Sequence, residues 1–173
     1  MKAVKARRGK RKMIKTRKSL VLFLCCGNTC RSPMAEMIFN QRIKEAGIRG
    51  IKARSFGLQT FCDDVISDKA VEALGRIHIE ADPKRHARQL TKAWIDKASY
   101  IVCMTLAQVR MLFDICEAHC IMQFNGGKEI EDPYGQPQEV YDRTADELEF
   151  AVDEMIAEIT DNVRRRMKPF DNM

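Results

Sequence analysis

Short apolar runs alternate along the chain with longer segments whose apolar residues recur at helical spacing. The first run, LVLFLC at residues 20–25, has no charged or amide position, which is typical of a strand buried on both faces. Three further runs predict strands at residues 51–56, 100–104 and 120–124. Because strands and helices alternate throughout, the pattern predicts one three-layer α/β domain around a four-stranded parallel sheet.

The helical segments have recognisable starts and ends. Ser32 suits the N-cap and Pro33 the first turn of a helix that runs to Gly47. Further helices are predicted at residues 67–74, 91–97, 105–113 and 140–167. No linker interrupts residues 19–168, so we expect a single domain there, followed by a short C-terminal tail at residues 169–173.

Residues 1–18 differ sharply in charge from the rest of the chain. They hold ten Lys or Arg residues and no acidic residue, whereas the remainder has 20 basic and 24 acidic residues. So dense a block of like charge is typical of a disordered extension, and translation from Met13 would remove most of it. Docking on RNA or another polyanion is the alternative, although the tail lacks aromatic residues that stack on bases.

The seven cysteines do not predict a disulfide framework. The number is odd, no Cys-x-x-Cys pair exists, and the apolar run at residues 20–26 is too short for a signal peptide or a membrane span. We therefore expect reduced cysteines in a cytoplasmic protein without membrane insertion. The group Cys116, His119 and Cys120 is better explained by packing at a helix end than by a metal site.

The segment CCGNTCRS at residues 25–32 joins the first predicted strand to the first helix. A helix N-terminus and consecutive backbone N–H groups bind anions, and a guanidinium offers phosphate two parallel hydrogen bonds. Arg31 would clamp a phosphate there, and the same positive field would favour the thiolate of Cys25, which attacks phosphorus. A cysteine that merely ends a strand is the alternative, but Gly27 and Asn28 in the loop favour a phosphate cradle.

Two residues of this loop have a second candidate role. Ser32 could donate its hydroxyl to the Cys25 sulfur and help it leave in a second chemical step, besides capping the helix. Asn28 tolerates left-handed backbone geometry and could brace the loop. A purely structural role suits Asn28 equally well.

The segment EDPYG at residues 131–135 follows the last predicted strand and faces the same crevice as Cys25. A leaving oxygen or nitrogen needs a proton when its bond to phosphorus breaks, and a carboxylic acid can supply it and then act as a base toward water. We assign this role to Asp132, with Glu131 as the second candidate, and expect Tyr134 in the wall of the pocket mouth. A plain surface turn is the alternative.

With both loops identified, the chain resembles the low-molecular-weight protein phosphatase family. The matching segments are VLFLCCGNTCRSPMAE at 21–36, HARQLT at 86–91, YIVCM at 100–104 and EDPYG at 131–135. The resemblance implies a flavodoxin-like, doubly wound sheet and a two-step reaction through a phosphocysteine. It also implies a phosphorylated protein as substrate and no metal or other cofactor. We expect a monomer.

The resemblance assigns roles to individual residues of this chain. Cys25 corresponds to the nucleophile, Arg31 to the phosphate clamp and Asp132 to the general acid. Asn28 and Ser32 match the supporting positions of the loop.

Three further residues are assigned by the same resemblance or stand beside its motif. His86 matches a histidine that helps to hold the cradle. Cys30 matches a neighbour that can trap an oxidised nucleophile as a reversible disulfide. Cys26 adds a third thiol, to which we assign no role.

Thr29 bears on the choice of substrate. Phosphotyrosine-directed members of the family usually have Ile here, whereas protein-arginine-phosphatase members have Thr, and Thr105 also resembles the second group. A hydroxyl at Thr29 could position water or a polar guanidino group, while Ile would offer only bulk to a ring. The sequence therefore favours phosphoarginine, with phosphotyrosine as the alternative.

Two other classes share part of this pattern. A thioredoxin-coupled arsenate reductase has the same fold and a similar loop but needs two further redox cysteines, for which Cys116 and Cys120 are candidates. Its loop tends to read Ser-Cys-Arg-Ser-Gln, whereas this chain has Thr29 and Pro33. A phosphocarrier domain or a non-enzymatic binding module would not need both the clamp and the acid.

Overall fold

The computed structural model describes residues 15–61 and 63–167. The strands are β1 (Lys15–Cys25), β2 (Arg49–Gly57), β3 (Tyr100–Cys103) and β4 (His119–Cys120). The helices are α1 (Arg31–Glu45), α2 (Asp68–Arg76), α3 (Lys92–Ile95), α4 (Leu106–Met111) and α5 (Gln138–Met167). The predicted alternation of strands and helices is confirmed.

The four strands form one parallel sheet in the order β2-β1-β3-β4. β1 lies inside the sheet, with Cys25 opposite Gly57 of β2 and Leu24 opposite Cys103 of β3. This position explains the uninterrupted apolar run of β1, since an inner parallel strand is covered on both faces. The chain leaves β1 in one direction for β2 and returns on the other side for β3, so a crevice opens at the carboxyl end of β1.

Alternate side chains of β1 enter two separate apolar cores. Val21 and Phe23 face α1, α2 and α5, and the Phe23 ring meets the edge of Phe39 with centroids 5.8 Å apart. Leu22 and Leu24 face the opposite layer, which contains α3 and the end of α4. The two cores confirm the three-layer arrangement and fix which way the end of β1 points.

The fourth strand is shorter than predicted. β4 pairs with β3 only at His119 and Cys120, and a 3₁₀ turn follows at Ile121–Gln123, where the strand was expected to continue to residue 124. As an edge strand, β4 has a partner on one side only, so its early end costs the sheet few hydrogen bonds. The turn also places the Ile121 side chain in the core that contains α1 and α5.

β1 begins inside the segment that the charge pattern assigns to the N-terminal tail. Lys15 pairs with Arg49 of β2, and the register shifts before Ser19. The rest of the predicted tail, residues 1–14, and the predicted C-terminal tail at residues 169–173 lie outside the described residues.

The helices that the structure describes include none that is long and apolar enough to cross a membrane. Even α5, with 30 residues, carries charged side chains along its whole length.

Gly57 ends β2 where the backbone of the β1–α1 loop passes close to it. A Cβ atom at this position would lie 2.6 Å from the carbonyl oxygen of Cys26 and 2.5 Å from Cγ2 of Thr60. The next amide, of Leu58, donates to the carbonyl oxygen of Cys25 at 2.9 Å. The missing side chain therefore lets β2 support the loop directly.

We predict that Gly57→Ala lowers the free energy of unfolding by about 1–3 kcal/mol, because the added methyl group overpacks a backbone contact. Gly75→Ala is the matched control, since a Cβ atom there meets nothing within 4 Å and Ala favours the helix. Urea unfolding of both variants measures the difference. Equal stability of Gly57→Ala and the parent protein would contradict the packing argument.

Candidate active site

The β1–α1 loop surrounds the sulfur of Cys25, a residue that is only 3% exposed at the end of β1. The sulfur accepts the backbone N–H of Asn28 at 3.3 Å and lies 2.9 Å from the hydroxyl oxygen of Ser32, which is buried in the first turn of α1. The sulfur therefore lies between a backbone donor and a buried hydroxyl, at the N-terminus of α1.

Asn28 gives the loop a backbone conformation that most residues avoid. Its φ is 58°, in the left-handed region that Asn tolerates. Its buried amide donates to the hydroxyl oxygens of Ser32 and Ser55 at 2.9 and 3.0 Å. Its side-chain oxygen accepts the backbone N–H of Arg88 at 2.9 Å. Because the backbone N–H of Asn28 donates to Cys25, these bonds fix a donor to the sulfur.

Arg31 is a buried cation at the start of α1, with 4% of its side chain exposed. One terminal nitrogen donates to the carbonyl oxygen of Ile130 at 3.3 Å, and the other pairs with the carboxylate of Asp132. Its Nε–H is buried and has no hydrogen-bond partner among the described residues. Since a buried donor without a partner is costly, this edge of the guanidinium is suited to a bound anion.

The loop before α5 brings one carboxylate to the cradle and turns its neighbour away. Asp132 is about half exposed (48%), pairs with Arg31, and accepts the backbone N–H of Tyr134 at 3.3 Å on its other oxygen. Glu131 instead lines a surface depression with Arg143. Tyr134 is 74% exposed, and its place in the wall of the pocket mouth stays a prediction.

The loop contains a second buried thiol, that of Cys30. Its sulfur lies 3.5 Å from the hydroxyl oxygen of Thr29 and 3.6 Å from that of Tyr141 on α5. Burial raises the pKa of the Cys30 thiol, and burial also raises the pKa of Tyr141 to about 12. Both groups are therefore protonated at neutral pH. The trapping of an oxidised Cys25 by Cys30 stays a prediction.

Cys26 is exposed and lies against α4. The side-chain amide of Gln108 donates to its sulfur at 3.6 Å, while the oxygen of the same amide accepts the backbone N–H of Met104 at 2.9 Å. Gly27 follows it, half-buried, and contributes backbone only. Neither residue gains a chemical role from its surroundings.

The structure does not support the role predicted for His86, because the residue that contacts the loop is its neighbour Arg85. The backbone of His86 pairs with Val65 in a short antiparallel bridge, and its side chain is exposed without a hydrogen bond to the part of the chain that the structure describes. Successive side chains of extended backbone point in opposite directions, so Arg85 points inward when His86 points out. The guanidinium of Arg85 reaches both Asn28 and Ser55.

The sequence did not predict three supporting residues: Glu36, Ser55 and Arg85. Ser55 lies in β2 among buried apolar residues, and a fully buried hydroxyl in a strand is a signal that its polar partner is nearby. Arg85 directly precedes the HARQLT segment and belongs to the same stretch of extended backbone. The position of Glu36 beneath the loop had no signal, because α1 carries several polar residues at solvent-facing positions as well.

Three other cysteines, which are not part of the β1–α1 loop, gather at the end of β3. Cys103 pairs in register with Cys120, and Cys116 packs half-buried against the same core. Burial raises the pKa of Cys103 to about 12 and raises those of Cys116 and Cys120 as well. Within residues 15–61 and 63–167, no group of three or more His, Cys, Asp or Glu side chains could hold a metal ion.

Comparison with known proteins identifies the same family from the whole domain. A family model described as low molecular weight phosphotyrosine protein phosphatase matches residues 20–165. A protein-arginine-phosphatase of Geobacillus stearothermophilus is 31% identical over 148 residues, which are 78% of this chain and 92% of that protein.

Two solved structures superimpose closely on this one. The YwlE arginine phosphatase from Geobacillus stearothermophilus gives a TM-score of 0.74 at 30% identity, over 87% of this chain and 98% of that chain. A low molecular weight protein tyrosine phosphatase from T. tengcongensis gives a TM-score of 0.74 at 36% identity, over 81% and 99%. These neighbours confirm the predicted flavodoxin-like fold. The chain belongs to the low molecular weight phosphotyrosine protein phosphatase family.

Proposed function

We propose that this chain hydrolyses phosphorylated protein side chains through a phosphocysteine formed on Cys25. The observation that supports this most strongly is the position of the Cys25 sulfur. It ends an inner strand, accepts the backbone N–H of Asn28, and shares one loop with the buried guanidinium of Arg31. A thiolate and a guanidinium held together in this way suit a tetrahedral phosphate dianion.

In the first step, the Cys25 thiolate attacks phosphorus and forms an S–P bond while the bond to the substrate oxygen or nitrogen breaks. Arg31 and the backbone N–H groups of the loop hold the non-bridging oxygens, on which the transition state carries its charge. Asp132, in its protonated form, donates a proton to the leaving atom. The dephosphorylated side chain then departs as a neutral alcohol, or with its guanidino group restored.

In the second step, the Asp132 carboxylate takes a proton from water, and the water oxygen attacks the phosphocysteine. The S–P bond breaks, and the electron pair returns to sulfur. The hydroxyl of Ser32, 2.9 Å from that sulfur, donates to it and stabilises the departing thiolate. Inorganic phosphate leaves, and the enzyme is restored.

The ion pair between Arg31 and Asp132 has to open when phosphate binds. Arg31 is buried, but Asp132 is half exposed, so water reaches the carboxylate and partly screens the pair. A phosphate dianion offers the guanidinium two oxygens and more charge, so it displaces the carboxylate. The displaced Asp132 is then free to lie beside the leaving atom and donate its proton to it.

We further propose a preference for phosphoarginine over phosphotyrosine. Thr29 is half-buried in the loop, with its hydroxyl 3.5 Å from the Cys30 sulfur, and relatives named as arginine phosphatases cover most of the chain. A polar group here suits a guanidino nitrogen better than a flat phenyl ring. Phosphotyrosine remains the alternative, because relatives named as tyrosine phosphatases match over a similar length.

The arsenate reductase alternative is not supported. The matching family model is a phosphatase model. Of the two cysteines that a reductase would need, Cys120 is 2% exposed and has a pKa raised by burial, so it is a poor nucleophile.

Cys25→Ser is expected to abolish hydrolysis of p-nitrophenyl phosphate while the protein still binds phosphate, because the serine hydroxyl is a far weaker nucleophile. Cys116→Ser is the matched control and should retain parent activity, since it removes a thiol outside the loop. Steady-state assays and phosphate titration provide the measurements. Substantial activity in Cys25→Ser would contradict the phosphocysteine mechanism.

Asp132→Ala should slow poor leaving groups by about 10²–10⁴-fold and affect good ones much less, because only poor leaving groups need the proton. The comparison is kcat/KM for phenyl phosphate against p-nitrophenyl phosphate. Glu131→Ala is the matched control, with little change expected on either substrate. Equal losses on both substrates in Asp132→Ala, or the selective loss in Glu131→Ala, would reassign the acid.

Thr29→Ile should shift the ratio of kcat/KM for phosphoarginine and phosphotyrosine peptides toward phosphotyrosine by about 10- to 200-fold. Thr29→Ser keeps the hydroxyl and should retain the parent ratio. An unchanged ratio in Thr29→Ile would show that Thr29 does not set the preference between the two substrates.

A further inference from the structure

Arg85 is a second buried guanidinium, and it lies beneath the β1–α1 loop at residues 25–32, here called the phosphate loop. Its side chain is 9% exposed, less than that of any other arginine in the described ion pairs except Arg31. The backbone on both sides is fixed, because the Arg85 carbonyl oxygen accepts the Ile66 amide at 2.9 Å and the Ala87 amide donates to Asp64 at 2.8 Å. The side chain is thus held in place by its own segment.

The guanidinium joins the loop to β2 and α1. One terminal nitrogen donates to the backbone and side-chain oxygens of Asn28 at 3.5 and 3.4 Å. The other donates to Ser55 at 2.7 Å and pairs with Glu36 at 3.0 Å. Arg85 therefore contacts the residue whose backbone N–H donates to the Cys25 sulfur.

The charge of this group acts on the nucleophile as well. Burial lowers the pKa of Arg85, while Glu36 and an ionised Cys25 act in the opposite direction. A guanidinium stays charged even so, because its ordinary pKa lies far above neutrality. The Arg85 cation attracts an ionised Cys25 across this buried site, where water screens charges less than it does at the surface.

We propose that Arg85 is a positioning residue of the phosphatase reaction, which holds Asn28 in its left-handed conformation and stabilises the thiolate of Cys25 with a permanent positive charge. The inference rests on the proposed function only in taking Cys25 as the nucleophile. Glu36 is then the counter-ion that allows this cation to be buried, and it weakens the effect of the cation on the sulfur.

The other charged or titratable groups around Cys25 and Arg85 stay unchanged in Arg85→Met and in Glu36→Gln. They are Arg31 at the start of α1, Asp132 in the loop before α5, Cys30 in the phosphate loop, Cys103 at the end of β3 and Arg88 beside Glu36. Any shift in the behaviour of Cys25 can therefore be assigned to the residue that is replaced.

The experiment measures the rate of Cys25 alkylation by iodoacetamide from pH 4 to 9, with the adduct located on Cys25 by mass spectrometry. Arg85→Met should move the inflection upward by about one pH unit, which is about tenfold slower alkylation at the acid end. Glu36→Gln keeps the hydrogen-bonding shape but removes the counter-ion, so it should move the inflection downward. Arg85→Lys keeps the charge and should restore most of the parent profile.

Arg88→Met is the matched control, because Arg88 pairs with the same carboxylate at 3.4 Å but is more exposed and reaches Asn28 only through its backbone. Its alkylation profile should match the parent. If Arg85→Met does not fold, the double variant Glu36→Gln/Arg85→Met removes both members of the pair without leaving a buried charge, and its inflection should still lie above that of Glu36→Gln.

Opposite shifts in Arg85→Met and Glu36→Gln support the proposal, since loosening of the loop alone would move both upward. An unmoved inflection in a folded Arg85→Met protein, or an equal shift in Arg88→Met, overturns it. Turnover of p-nitrophenyl phosphate by the parent protein is recorded in parallel. Shifted alkylation without any turnover in the parent would refute the proposed function and leave the role of Arg85 at the thiolate in place.

Discussion

The site depends on one hydrogen bond, from the backbone N–H of Asn28 to the sulfur of Cys25 at 3.3 Å. That donor faces the sulfur only because the Asn28 backbone is left-handed, a conformation that is uncommon for a residue with a side chain. Hydrogen bonds of the buried Asn28 side chain offset the cost of this conformation. Its amide nitrogen donates to two hydroxyls, and its oxygen accepts a backbone N–H. A loop of this shape directs backbone donors at an anion before the anion arrives.

Two ion pairs, one above and one beneath the β1–α1 loop, balance the charge around it. Arg31 pairs with the half-exposed Asp132 and, in the proposed mechanism, exchanges that partner for phosphate. Arg85 lies beneath the loop and keeps a permanent partner, Glu36, at 3.0 Å. Removing one member of such a buried pair typically costs about 3–5 kcal/mol, so the Arg85–Glu36 pair stays closed, whereas Arg31 can release Asp132 when phosphate takes its place. The proposed mechanism requires both a rigid loop and a mobile acid.

The sequence predicted the fold well because its strongest signals are local. An inner parallel strand must be apolar throughout, so the sequence predicted β1 and the position of its carboxyl end. That end locates Cys25, and the loop after it locates Arg31. The edge strand β4 was overestimated, because an apolar run does not distinguish a strand from a buried 3₁₀ turn. Its two-residue length depends on tertiary packing of Ile121.

The supporting residues were harder to predict because they come from three separate segments and meet at a fourth, the β1–α1 loop. Ser55, Glu36 and Arg85 meet Asn28 only after β2, α1 and the segment before α3 are packed together. The error at His86 was one of register, since one step along extended backbone exchanges the inward and outward side chains. Motif position alone carries no information about that direction.

The most direct test of the account is to trap the covalent intermediate. Asp132→Ala, mixed rapidly with p-nitrophenyl phosphate and quenched, should carry one phosphoryl group on the peptide that contains residues 19–31. Fragmentation should place it on Cys25, because only that sulfur is surrounded by the donors of the loop. A phosphoryl group on Cys26, Cys30 or an oxygen atom, or product release without any covalent intermediate, would contradict the account.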